Sequence, residues 1–238
     1  MARVIQLPAA RRFRPGSLRP VQPGTTLRCL VLASGPEWVA VDVDSGALLR
    51  PLASSVAHGA PLDLGPSLST VSFVIDDSSE PFDPSRPEAV GIAPGSIAGL
   101  GAPRRRAVRQ LLGKLVTRSP AAPLLGSLGP SVAYSDLEGD RPSVVLVEPD
   151  HRPRFGNGPT GPWCQFSLGD RKHALPLHGR PEDATSRTGD GRTHRSSRRR
   201  RHGPGAAVPR LLVVGFGAPR GGQVPKVVLG AISEPPRR

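Results

Sequence analysis

Apolar residues arrive along this chain in short bursts separated by proline, glycine and polar stretches, a spacing that predicts strands rather than helices. The first bursts run from Leu27 to Ala33, Glu37 to Asp42 and Ala47 to Leu52. In the second, Trp38, Ala40 and Asp42 alternate with Val39, Val41 and Val43. Asp44-Ser45-Gly46 then supplies hairpin-turn chemistry, because glycine takes the positive φ a tight reversal needs. These three segments are expected to form a meander. Further strands are predicted at Thr70–Ile75, Ala89–Ile92, Ser131–Ser135, Ser143–Glu148, Pro162–Leu168, Lys172–Leu177, Arg210–Phe216 and Val224–Ile232.

One segment breaks this rhythm. From Pro103 to Thr117, residues Ala107, Val108, Leu111, Leu112, Leu115 and Val116 fall on one stripe at helical spacing, opposite Arg106, Arg109, Gln110 and Lys114. Pro103 suits a first-turn position, and Gly113 weakens the helix slightly. The fold expected is therefore mainly β, a small barrel or sandwich of about ten short strands with one amphipathic helix.

Gly179 to Pro209 has almost no large apolar residue and contains Arg198-Arg199-Arg200-Arg201. Such a segment cannot offset its own ordering entropy and is expected to be disordered. The organisation read from these patterns is a basic N-terminal arm over 1–26, a β-rich domain over 27–178 with its helix near 103–117, an Arg-rich insertion over 179–209, and a C-terminal hairpin over 210–238 that completes the domain. Two strands could hardly fold alone.

Composition changes the picture in two ways. Gly 28 and Pro 29 in 238 residues, with 37% hydrophobic residues, fit a core interrupted by many turns. The formal net charge of +13 points toward nucleic acid, an anionic membrane surface or an acidic protein as partner. Yet only Lys114, Lys172 and Lys226 among the basic residues are lysines, and abundant Arg, Ala, Gly and Pro is what GC-rich bacterial codons produce. The competing explanation for the charge is therefore genomic composition. Cys29 and Cys164 are the only cysteines, which excludes a disulfide framework; a single bridge would need their two strands to lie close, and two buried free thiols in a reducing cytoplasm are the favoured expectation. No apolar stretch is long enough for a membrane helix. Arg11-Arg12-Phe13 resembles the start of an export signal but lacks the hydrophobic region that must follow.

Catalytic motifs fail on their context. Gly156-Asn157-Gly158-Pro159-Thr160-Gly161 matches the dinucleotide fingerprint in letters, but a strand-like segment follows it where a helix N-terminus is required. It is read as a wide turn. Asp76, Asp77, Glu80 and Asp83 form an acidic cluster at a strand end, for which a solvated loop is the plainer reading. Asp44 in the Asp42-x-Asp44 pair is the turn residue of its hairpin. His173 and His178, five apart in a strand, point to opposite faces and make a poor ligand pair. No cofactor, metal or catalytic residue is assigned.

What remains is the basic helix and the Arg-rich loop. No acidic residue occurs from Ala89 to Ser135, while Arg104, Arg105, Arg106, Arg109, Lys114 and Arg118 all fall there. Arg105, Arg106, Arg109 and Lys114, with Arg198, Arg199, Arg200 and Arg201, are the residues expected to meet a polyanion such as nucleic acid, by neutralising phosphates. Stacking aromatics are scarce: Phe13 and Phe155 alone sit among arginines, and Trp38, Trp163 and Phe166 are expected in the core. The leading reading is a non-catalytic binding or accessory protein. The alternatives are a metal-assisted enzyme using the strand-end carboxylates, and a scaffold that pairs with itself or with a protein partner through a sheet edge or an apolar patch.

Overall fold

The computed structural model describes residues 22–53, 62–76, 83–117, 123–137, 141–178 and 209–233. The chain is mainly β, with fourteen strands in curled, barrel-like sheets and one α-helix among these residues.

The first sheet is built from β1 (Thr26–Ala33), β2 (Val39–Asp42), β3 (Leu48–Ala53), β4 (Thr70–Val74), β5 (Ala89–Ile92) and β6 (Ala98–Gly101), in the order β5-β3-β2-β1-β4-β6. The expected meander is present: β1 pairs antiparallel with β2, and β2 with β3. Gly46 takes φ 70° at the β2–β3 turn, where the Asp42 carboxylate accepts from the Ser45 N–H at 3.2 Å and from the Ser45 hydroxyl. The sheet nearly closes on itself. Ile75 bridges Ile92, the Asp76 N–H donates to the Gly91 carbonyl, and the Ala93 N–H donates to the Val74 carbonyl. Inside this curl sit Cys29, Val31, Ala40, Leu49, Val71, Phe73 and neighbours.

Alternate residues of the same strands face outward into a second core. Leu30, Leu32, Val39, Val41 and Leu48 pack against Val144, Leu146, Leu211, Val213, Val227 and Leu229. That explains why Cys29–Ala33 of β1 read as a continuous apolar run: both faces are covered there. The second contribution comes from a five-stranded sheet, β7 (Val116–Thr117), β9 (Val144–Val147), β13 (Pro209–Phe216), β14 (Gln223–Ser233) and β8 (Ser131–Ala133), in that order. Gly230 on β14 lies so close to β1 that a Cβ there would stand 2.8 Å from the Ala33 Cβ.

The opposite face of β9, β13 and β14 forms a third core. Val147, Leu212, Val214 and Val228 meet Cys164, Phe166, Leu168 and Leu175 of a three-stranded sheet, β10 (Arg154–Gly158), β11 (Gly161–Leu168) and β12 (Arg171–Pro176). Leu177 bridges Val228 and ties the two sheets together. Cys29 and Cys164 lie in separate cores as buried free thiols.

Several expectations need correction. The glycine-rich segment read as a wide turn is strand β10 and the beginning of β11, with only Pro159-Thr160 between them. The helix, α1, spans Arg105–Leu115 rather than 103–117: Arg104 and Val116 are extended, and β-branched Val116 and Thr117 pair in parallel with Leu146 and Val147 instead. Ala107, assigned to the apolar stripe, is exposed. Ser131–Ser135 is a strand only to Ala133, after which Tyr134–Asp136 forms a 3-10 turn. The 1–21 part of the N-terminal arm and residues 179–208 of the Arg-rich insertion lie outside the described residues; Pro209 opens β13.

Candidate anion-binding surfaces

Helix α1 follows Pro103 and packs through Leu112 and Leu115, both buried, with Val108 and Leu111 half-buried beside them, onto the core shared by the first and second sheets. Arg105, Arg106, Arg109 and Lys114 are all exposed. No carboxylate of the described residues pairs with any of the four. The first turn carries no acidic residue and no side-chain cap, so Arg104, Arg105 and Arg106 crowd the end of the helix where the backbone dipole is already positive. Lys114, in the last turn, suits the negative end. Arg105 and Arg109 flank an apolar crevice of about 210 Å³ floored by Leu68, Val108, Leu112 and Ile232. Arg198, Arg199, Arg200 and Arg201 lie outside the described residues.

A second basic surface was not anticipated. Register places Arg154 opposite Gln165 and Ser167 opposite Lys172, all on the outward face of the three-stranded sheet, while Cys164, Phe166 and Leu168 alternate into the core. With His151 and Arg152 from the preceding loop, these residues line a cavity of about 620 Å³. Two residues along β11 on the same face is Trp163. It belongs to none of the three cores, contrary to expectation. Its half-exposed indole lies across β10: a Cβ at Gly156 would be 2.5 Å from Cζ2, and one at Gly158 would be 3.4 Å from Cδ1. The glycines read as dinucleotide-like therefore seat an aromatic ring. Phe155, which stood among arginines in the sequence, packs instead against the third core. Trp38 packs against the first core and Phe166 is buried, as expected. On the inner side Phe166 stacks on His173, with ring centroids 5.1 Å apart, and burial together with the Lys226 and Arg171 charges lowers the His173 pKa.

Three further charged groups, Arg50, Glu88 and Lys226, are buried and structural. Arg50, 2% exposed, donates to the Ser143 hydroxyl at 3.1 Å and the Phe216 carbonyl at 2.8 Å, and pairs with Glu37, which also holds Arg86 at 2.8 Å. The buried Glu88 carboxylate accepts from the Ser143 N–H and hydroxyl and from the Val144 N–H at 3.3 Å. Burial lowers the Arg50 pKa and raises that of Glu88, each opposed by its partners. This network fastens β3 and the segment before β5 to the start of β9 and the end of β13. Lys226 is the other buried cation: its ammonium donates to the Ser127 carbonyl at 2.6 Å, and burial pushes its pKa down to about 8.

Of the strand-end acids, Asp76 follows β4 and Asp83 accepts at one oxygen from the Ser85 N–H, the Ser85 hydroxyl and the Tyr134 hydroxyl. Asp77 and Glu80 lie outside the described residues. Among the described residues no three His, Cys, Asp or Glu side chains gather as a metal site, and no helix is long and apolar enough to cross a membrane.

No protein-family model, no curated protein and no solved structure matches this chain.

Proposed function

We propose that this is a non-catalytic binding or accessory protein that engages a polyanion, nucleic acid being the partner whose chemistry suits it best. The observation that carries the reading is the arrangement on α1. Arg105, Arg106, Arg109 and Lys114 are exposed on a helix without a single acidic residue, and the arginines gather at the end where the dipole disfavours them. A genome rich in arginine codons accounts for many arginines, but not for the absence of any paired carboxylate on these four among the described residues. Phosphates placed there would relieve both the mutual repulsion and the dipole conflict, with release of condensed counterions. In this reading Arg198 to Arg201 add their charge to the binding of the same partner. The two buried free thiols suit a reducing compartment, which is why the reading takes the cytoplasm as its setting.

The test is binding of labelled DNA and RNA across a salt series, with the intact protein and with Arg105, Arg106, Arg109 and Lys114 all changed to Gln. Affinity should fall steeply with salt, and the slope of log K against log salt should shrink by about 0.7–0.9 for each phosphate that the variant no longer neutralises. Absence of binding at low salt, or an unchanged slope in the variant, would sink the proposal.

A further inference from the structure

The outward face of the three-stranded sheet combines a half-exposed indole with a cavity lined by Arg152, Arg154 and Lys172. Trp163 is an odd residue to leave half-exposed. The chain makes room for it by placing Gly156 and Gly158 beneath it, since a side chain at Gly156 would collide with the ring. Glycine in a strand interior weakens the strand and marks a place where something must approach closely. Here that something is the indole, which runs along Gly156 and Gly158 and stays half-exposed.

Beside it lie Arg154, Gln165, Ser167 and Lys172 on the same face, and Arg152 and His151 at the cavity's edge. Trp163 and Gln165 are two positions apart in one strand, about 7 Å. No carboxylate of the described residues pairs with Arg152, Arg154 or Lys172, although Asp150 precedes the cavity in sequence and Asp170 turns toward Arg171 at 4.0 Å. The cavity, about 620 Å³, lies within the size range of small-ligand sites.

We infer that this face binds single-stranded nucleic acid, with a base stacked on Trp163 and the adjoining phosphate held in the cavity by Arg152, Arg154 and Lys172. The indole gives a π-face that any base can cover, and the cations follow the backbone, a combination suited to single strands. Gln165 and Ser167 provide amide and hydroxyl groups between the two. A duplex would present its phosphates but keep its bases stacked inside, leaving the indole unused. An acidic peptide would satisfy the cations and also leave the ring bare. The inference rests on the polyanion reading above, but it uses a different surface, so the two can fail separately.

The chain contains two tryptophans, so Trp38→Phe leaves Trp163 as the sole indole. Titrating that full-length variant with a short oligothymidylate should quench its emission saturably, and a duplex of the same length should quench it far less. Affinity measured by anisotropy on the otherwise native chain should drop roughly 5- to 150-fold in Trp163→Leu, the span expected for one base–aromatic stack. Arg154→Gln with Lys172→Gln should weaken binding and flatten its salt dependence. The anisotropy arm stands alone should Trp38→Phe prove unstable. Strand binding with no quenching and no effect of Trp163→Leu, but abolished when the α1 arginines are replaced, would overturn this inference and leave the polyanion reading intact. No binding of any nucleic acid at low salt would remove both. Thymidine monophosphate binding as tightly as the oligonucleotide would overturn the assignment to a strand.

Discussion

Replacing Lys226 with methionine should stabilise the protein at neutral pH, and by an amount that disappears on alkaline titration. Lys226 lies on β14, 1% exposed, with a backbone carbonyl as its ammonium's partner and no carboxylate among the described residues. Burial disfavours the charged form, so the folded-state pKa falls from 10.5 to about 8. Below pH 8 both states carry the proton and the folded state bears the whole desolvation cost. Between about 8 and 10.5 the folded protein sheds the proton while the unfolded chain keeps it, so stability rises with pH through this window. At 1.36 kcal/mol per pH unit the full drop corresponds to about 3 kcal/mol. Residual hydration of the ammonium and removal of its hydrogen bond to half-exposed Ser127 reduce this, leaving a gain of about 1–3 kcal/mol for Lys226→Met at pH 7. The assay is urea unfolding of both proteins from pH 7 to 10.5. The thiols of Cys29 and Cys164, whose pKa values burial raises, lower the stability of both proteins above pH 9 and cancel in the difference. A variant that is less stable than the parent at pH 7, by a gap that pH does not alter, would refute the reasoning.

Arg50→Met should cost about 3–5 kcal/mol, seen as a fall in the urea midpoint, because it leaves the buried Glu88 without its neighbouring cation, takes one of the two cations from Glu37, and removes the donor to Ser143 and to the Phe216 carbonyl. Glu88→Gln removes the group whose folded pKa is raised; the parent's stability should fall as pH climbs from the unfolded carboxylate value upward, and that slope should flatten in the variant. Gly230→Ala should destabilise by about 1–3 kcal/mol in thermal or urea unfolding, since the added methyl would meet Ala33 at 2.8 Å and the Leu32 carbonyl at 3.4 Å. Cys164, with its pKa pushed up to about 12, and Cys29 should resist a thiol reagent at pH 8 until denaturant is added; rapid native labelling would contradict their burial.

Most of the strands were legible because their covering is written into their composition. Cys29–Ala33 of β1 and Leu211–Phe216 of β13 are covered on both faces and read as apolar runs, and the β2–β3 hairpin carries its own turn residues. What escaped reading had little or no apolar signal. β6 is Ala-Gly-Leu-Gly and fully exposed, and β10 is Arg-Phe-Gly-Asn-Gly, its glycines required by an indole on the neighbouring strand rather than by a turn. The end of α1 was misplaced because Val116 suits a helical stripe and a strand equally, and only the partner strand β9 decides. The basic helix face was visible because its charges are local in sequence. The Arg50 network was not, since its hydrogen bonds join residues 93 and 166 positions apart. The cavity beside Trp163 likewise draws on three strands and a loop, and no spacing in the chain announces it.

The five-stranded sheet lies between two cores, and its two longest strands, β13 and β14, are the last described in the chain. During synthesis the outward faces of β1–β3 and the inward faces of β11 and β12 must therefore wait, uncovered, until residues 209–233 leave the ribosome. Folding of such long-range sheet pairings is slow, and the waiting surfaces are prone to aggregate. A nascent chain halted between β12 and β13 would expose two apolar faces at once, which makes this hairpin the gate between a sticky intermediate and the finished fold.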